Sequence, residues 1–121
     1  MKIQLLTQNF AICKVSDLPI NLIEKDFCFI SKTDEEISVV CPLEQLPNNT
    51  INISKTWKSF RVVGNLDFSL VGILSNISHV LAKNNISIFA VSTYNTDYIF
   101  VKQESLQSAV VALQNEGYEI V

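Results

Sequence analysis

Two short stretches hold the residues with the most chemistry to offer. In the first, "GNLDFSLVGI" from Gly64 to Ile73, a glycine, an acid, an aromatic and a serine stand between an apolar run, "FRVV", and a periodic one, "LVGILSNISHVLAK". A helix that starts there leaves its first backbone N–H groups without intrahelical partners, and its aligned dipoles make that end electropositive, so a carboxylate fits against it. Asp67 or Ser69 suits the N-cap, and Gly64 and Gly72 keep the backbone accessible. The turn formed by Asp67, Ser69, Leu70, Val71 and Gly72 is therefore the candidate carboxylate-binding element. In the second stretch, "STYNTDY", Ser92 and Thr93 end one strand, Tyr94 and Asn95 make a turn, and Asp97 heads the next strand, where its carboxylate can face an ammonium or a guanidinium. Each feature also has a plain explanation, since aspartate caps helices and forms turns wherever either is needed. Together they offer the two poles of a zwitterion. An amino-acid site must supply both, because a desolvated ligand charge without a partner costs several kcal/mol.

Other chemistry is sparse. The single histidine, His79, falls on the polar side of a helical pattern with Asn76 and Lys83, which is the position of a solvated residue and not of a general base. Cys13, Cys28 and Cys41 are widely spaced in apolar stretches, without the paired spacing of metal ligands, and read as buried structural thiols. No catalytic residue, metal or cofactor is expected. A net charge of -3 and a pI near 5.0, with nine scattered basic residues, leave no footprint for nucleic acid. The run "MKIQLLTQNFAICKV" lacks the apolar core of a signal peptide, and no stretch reaches the roughly 20 apolar residues of a membrane span, so the expected location is cytoplasmic, away from membranes.

The elements that must position these residues are clearest after Trp57. "WKSFRVV" reads as a strand. Leu70, Ile73, Leu74, Ile77, Val80 and Leu81 make one apolar helical stripe, ended by Asn84 and Asn85. "ISIFAVST" and "DYIFVK" form a hairpin, "QESLQSAVVALQNEG" a second helix stopped at Gly117, and "YEIV" a last strand. The order is βαββαβ, an α+β ferredoxin-like fold with an antiparallel sheet covered by two helices on one face. Before Trp57 the signals are strands: "KIQLLTQNFAICKV", "DFCFIS" and "EISVVC", the last two joined through "KTDE". "SDLPINLIEK" reads as a turn or short helix, Pro42 and Pro47 bracket "LEQL", and the asparagine-rich "PNNTINISK" reads as a connection carrying the boundary. The expected division is a strand-rich subdomain at residues 1–55 and a βαββαβ module at residues 56–121.

The segment "GNLDFSLVGILSNISHVLAKNNISIFAVSTYNTDYIFVK" resembles the ACT-domain family, in particular its short bacterial members with an aspartate-kinase-type arrangement, and it is similar to the ACT modules of cytosolic arginine sensors in animals. The resemblance is dense from Trp57 to Val121 and weak before it, where it implies a divergent ACT-like portion. It implies a non-catalytic regulatory protein that binds an amino acid at a module or subunit interface, with Thr93, Tyr94 and Asp97 among the contacts. It also implies a homodimer or another protein partner to report the bound state, since no catalytic domain is attached. The second reading is an interaction module that keeps the fold without a ligand. If Asp97 meets the ligand side chain, arginine or lysine is preferred; if it meets the α-ammonium, neutral amino acids bind as well.

Overall fold

The structure is a computed structural model that describes residues 1–64 and 72–121. Its chain forms two compact units, one built from Gln8–Trp57 and one from Met1–Thr7 together with Lys58–Val121.

The second of these carries the helices. Its strands are β1 (Lys2–Leu5), the end of β5 (Thr50–Val62), β6 (Ile88–Ser92), β7 (Asp97–Lys102) and β8 (Glu119–Ile120); its helices are α1 (Ile73–Lys83) and α2 (Leu106–Asn115). The strand order is β6-β7-β5-β1-β8. In a plain βαββαβ unit the last strand lies against the first. Here β1 stands between them, antiparallel to β5 through Ile3↔Val62, Gln4↔Arg61 and Leu5↔Phe60, and parallel to β8 through Lys2↔Glu119 and Ile3↔Ile120. Met1–Thr7, grouped by the sequence pattern with the residues that follow, thus joins the sheet of the helical unit. The strand alternation explains why: Ile3 points to the helix-covered face, where it is fully buried with Phe60, Val62, Ile77, Leu81, Ile99, Val101, Ala109 and Leu113. The neighbours Gln4, Arg61 and Tyr98 occupy the other face.

The helices end as their sequences require. Asn84 caps α1, its side-chain amide donating to Val80 O at 2.8 Å, and Asn85 adopts the left-handed conformation at φ 58° while Ile86 N returns to Leu81 O. Gly117, at φ 93°, closes α2 in the same way, with Tyr118 N donating to Leu113 O. The described start of α1 has Gly72, at φ 81°, at its N-cap position. Asp67, Ser69, Leu70 and Val71 themselves lie outside the described residues.

The other unit consists of β2 (Phe10–Val15), a 3-10 turn at Ile20–Leu22, β3 (Phe29–Lys32), β4 (Ile37–Pro42), a second 3-10 turn at Leu43–Gln45, and the first part of β5. Its order, β3-β4-β2-β5, is antiparallel throughout. This is again the βαββαβ order, with each helix reduced to one 3-10 turn. The intervals allow little more, because Pro19 interrupts the first and Pro42 and Pro47 bracket the second. Cys13, Val15, Leu22, Val39 and Cys41 form its buried core. The stretch "TINISK", expected as a connection, is strand instead: it pairs with β2 from Val15↔Thr50 to Ala11↔Lys55, and polar side chains are no obstacle where a strand face meets solvent. Pairing passes from Phe10↔Trp57 to Ala11↔Lys55, so Thr56 is the extra residue of a bulge, at φ 70°.

Candidate functional site

The β6–β7 hairpin positions the acid of interest. Ser92 and Asp97 are the last cross-strand pair before the turn, and the Ser92 hydroxyl donates to Asp97 Oδ1 at 2.6 Å. Alternation along β7 sets Asp97 on the same side as Ile99 and Val101, which is the side packed by the helices. Asp97 is partly exposed, and its carboxylate is oriented by one hydroxyl, so it needs little side-chain ordering to meet a cation.

The turn is held by Thr93 and Thr96. Thr93 N and its hydroxyl both donate to Thr96 O, at 2.8 and 3.1 Å, and Thr96 N donates back to Thr93 Oγ1 at 3.3 Å. Thr96 is buried and its hydroxyl donates to Val62 O at 2.8 Å, which ties the hairpin to β5. Thr93 therefore spends its hydroxyl on the turn, whereas Tyr94, 80% exposed, stands at the tip. Of the residues singled out in "STYNTDY", Ser92 and Asp97 are brought together. At the other candidate element, the first-turn amides of α1 follow a glycine, with no acidic side chain in that turn. A Cβ on Gly72 would meet only ordinary contacts with Asn76, so its requirement for glycine comes from the positive φ.

A second cluster lies in the helical unit, outside the residues singled out from the sequence. Arg61, on β5, donates from Nη2 to Gln4 Oε1 at 2.7 Å and from Nη1 to Tyr98 OH at 3.3 Å, and its guanidinium carbon lies 5.8 Å from the Tyr98 ring centre. These three residues line a cavity of about 280 Å³ with Val63, Gly64, Asn95 and Thr96. The signal available was an arginine between Phe60 and Val62 in an apolar strand. Gln4 is 57 residues away from it, and only the insertion of β1 brings the two together.

The thiols lack nucleophilic character. Burial pushes all three up, and Cys41, also near Cys13, Cys28 and Glu44, is raised from the usual 9.0 to about 12. His79 is exposed on α1. Among the described residues there is no group of three or more side chains suited to hold a metal ion, and no helix long and apolar enough to cross a membrane.

The family model of the ACT domain matches residues 52–115. The chain belongs to the ACT-domain family. Over 99% of its length it is similar to a protein of solved structure from Agrobacterium tumefaciens, of which it covers 91%, with a TM-score of 0.89 and 28% identity. A Vibrio cholerae protein of unknown function, described as a possible transport protein, matches with a TM-score of 0.71 and 20% identity over 92% of this chain and 85% of that one. The regulatory subunit of aspartate kinase from Thermus flavus shares the fold at a TM-score of 0.65 and 11% identity, over 95% of this chain and 96% of that one. None of the curated proteins searched matches the chain.

Proposed function

We propose that this protein is a non-catalytic regulatory binding protein whose ligand is an amino acid, held at an interface between modules or subunits. The observation that carries the reading is the Ser92–Asp97 pair, a carboxylate oriented by a hydroxyl at 2.6 Å on the helix-bearing side of the sheet. Asp97 receives the ligand's cationic group, and the amides of the turn from Asp67 to Gly72, with Ser69, Leu70 and Val71, receive its carboxylate. Ser92, Thr93 and Tyr94 complete the contact from the hairpin. The described start of α1 supports this assignment, because a helix headed by glycine, with no side-chain cap among the described residues, has first-turn amides suited to an anionic acceptor. Likeness of fold to the aspartate kinase regulatory subunit supports a regulatory role.

A ligand held between copies stabilises one association state by its differential affinity, so the signal reads out as a homodimer or a protein partner gained or lost. We place this function in the cytoplasm, without nucleic acid, membrane, metal or cofactor. One observation favours a second reading, a ligand-free interaction module: Tyr94 is 80% exposed at the hairpin tip, as a protein-contact residue is. A thermal-shift screen against the twenty amino acids, paired with sedimentation analysis, separates the two. Binding to the native state alone raises stability by about 2.7 kcal/mol at a hundredfold excess over Kd. A shift with one amino acid or one class supports the sensor, and no shift with any of them moves the assignment to the interaction module.

A further inference from the structure

We propose that the cavity between the two 3-10 turns of the Gln8–Trp57 unit is a second binding site, distinct from the amino-acid site, that takes a small uncharged molecule with an apolar body and one N–H or O–H donor. In a full βαββαβ unit the two connections are helices that cover one face of the sheet. Here each is a turn of three residues, Ile20–Leu22 and Leu43–Gln45, and residues of both line a cavity of about 660 Å³. That volume is well within the range of small-molecule sites.

The walls are joined before anything binds. The Asn49 side-chain amide donates to Asp17 O at 3.2 Å and to Ser16 Oγ at 3.4 Å, and Ser16 N donates to Asn49 O at 3.3 Å. The chain entering the first turn is thus tied to the chain leaving the second, and a pre-formed site spares the ligand the cost of ordering one. Leu18, Ile20, Leu22 and Leu46 supply hydrocarbon surface, and none of the described lining residues is charged. Leu18 and Ile20 are 46% and 72% exposed, so a ligand seated here removes apolar surface from water. An ion entering the cavity loses hydration without meeting an opposite charge, and the site therefore selects a neutral molecule.

Gln45 supplies the polar contact. It lines the cavity, and its Oε1 is buried without a hydrogen-bond donor among the described residues. Buried acceptors in native proteins are nearly always satisfied, and one that is not marks a place where a partner belongs. The terminal torsion of a glutamine is broad, so the amide turns toward an entering donor at little cost. A ligand N–H or O–H meets that oxygen, whereas a molecule without a donor leaves it unpaired. All the lining residues belong to the Gln8–Trp57 unit and Asp97 to the other, so the site does not rest on the amino-acid reading.

The test titrates the full ¹⁵N-labelled chain with indole, which is neutral and carries one N–H, and with 1-methylindole, which has no donor; indole-3-acetate and tryptamine are the anionic and cationic arms. Saturable shifts centred on the Ile20, Leu22, Leu46 and Asn49 amides are expected with indole. 1-Methylindole should bind about threefold more weakly although it is the more apolar, and both ions more weakly than indole. Gln45→Met should erase the preference for indole over 1-methylindole. Ile20→Asp should weaken indole binding about tenfold, while Ile51→Asp, the same change at an exposed isoleucine outside the cavity, and Asp97→Asn should leave it unchanged. The proposal is overturned by the absence of saturable shifts at these amides, by 1-methylindole or either ion binding as tightly as indole, or by a preference for indole that survives Gln45→Met. Shifts of the same amides on dilution of the protein alone, with no response to indole, overturn it in favour of contact with a second copy. Should Gln45→Met fail to fold, the indole preference of the native protein and the Ile20→Asp result carry the test, and the absence of either effect overturns the proposal. Because Asp97→Asn separates the two sites, failure of this proposal leaves the amino-acid reading standing, and the converse holds.

Discussion

The two units follow one plan with different materials. In each, the third strand of the motif lies beside the first and the second pairs with the third, and in each a connection leads into and out of the central hairpin. The helical unit fills those connections with α1 and α2, whose apolar stripes Ile77, Val80, Leu81 and Ala109, Ala112, Leu113 are buried. The unit at Gln8–Trp57 fills them with 3-10 turns of three residues each, flanked by prolines, and leaves Leu18, Ile20 and Ile23 exposed. Sheet order is thus a property of the strands and their alternation, and it survives loss of the helices. What the helices add is a deep core and a helix N-terminus, and the ligand-binding residues we assign to the ACT module lie in the unit that kept them.

The largest expected effect breaks or sharpens this contrast directly. Leu81, fully buried on α1, should lose about 2–5 kcal/mol on substitution by alanine, as core leucines do when the surroundings cannot collapse. Leu22, in a short turn whose neighbours are exposed, should lose about 2 kcal/mol or less, because that turn can relax into the gap. Urea unfolding measures both, and an equal or larger loss at Leu22 would show that the 3-10 turns are as rigid as the helices.

A middle effect concerns the tie between hairpin and sheet. Thr96→Val keeps the shape but removes the 2.8 Å hydrogen bond to Val62 O, leaving a buried acceptor with one donor fewer. The expected loss is about 1–2 kcal/mol, measured by the same unfolding experiment. No loss would mean that the register at Asp97 is set by β6 alone.

At neutral pH the smallest is the contribution of the thiols, which shows only on alkaline titration. A thiol whose pKa is raised on folding holds its proton longer in the native state than in the unfolded one, so stability is complete below the ordinary value and falls as pH rises. With Cys41 raised from 9.0 to about 12 by burial, and Cys13 and Cys28 raised in the same direction, stability should decline progressively between those limits. Cys41→Ala should flatten the decline, as read by denaturant midpoints across the alkaline range. An unchanged slope would remove the thiols from the explanation.

Legibility in the sequence followed the range of the signals. Helix stripes, the asparagine and glycine stops, and the β6–β7 hairpin are local patterns, and Asn85 and Gly117 sit in the left-handed conformation those patterns require. The strand at Thr50–Lys55 was obscured because asparagines interrupt its apolar residues, and strand pairing overrides such weak propensities. The place of β1 between β5 and β8 was illegible for a deeper reason. It depends on a pairing between residues near opposite ends of the chain, and no spacing within "KIQL" announces it. The same non-local step hid the Arg61–Gln4 pair. At the hairpin, Ser92 and Asp97 were readable as polar residues at strand ends, but their mutual hydrogen bond, and the use of Thr93 within the turn, depend on the register.

The central claim is that Asp97 binds the cationic group of an amino acid. Isothermal titration of the amino acid that gives the largest thermal shift, into the native protein and into Asp97→Asn, tests it most directly. Asparagine retains an oxygen to accept from the Ser92 hydroxyl, so the hairpin should persist while the charge is gone. The account predicts saturable binding to the native protein and loss of about tenfold or more in Asp97→Asn, with unchanged unfolding behaviour. Equal affinity in the two proteins would contradict it.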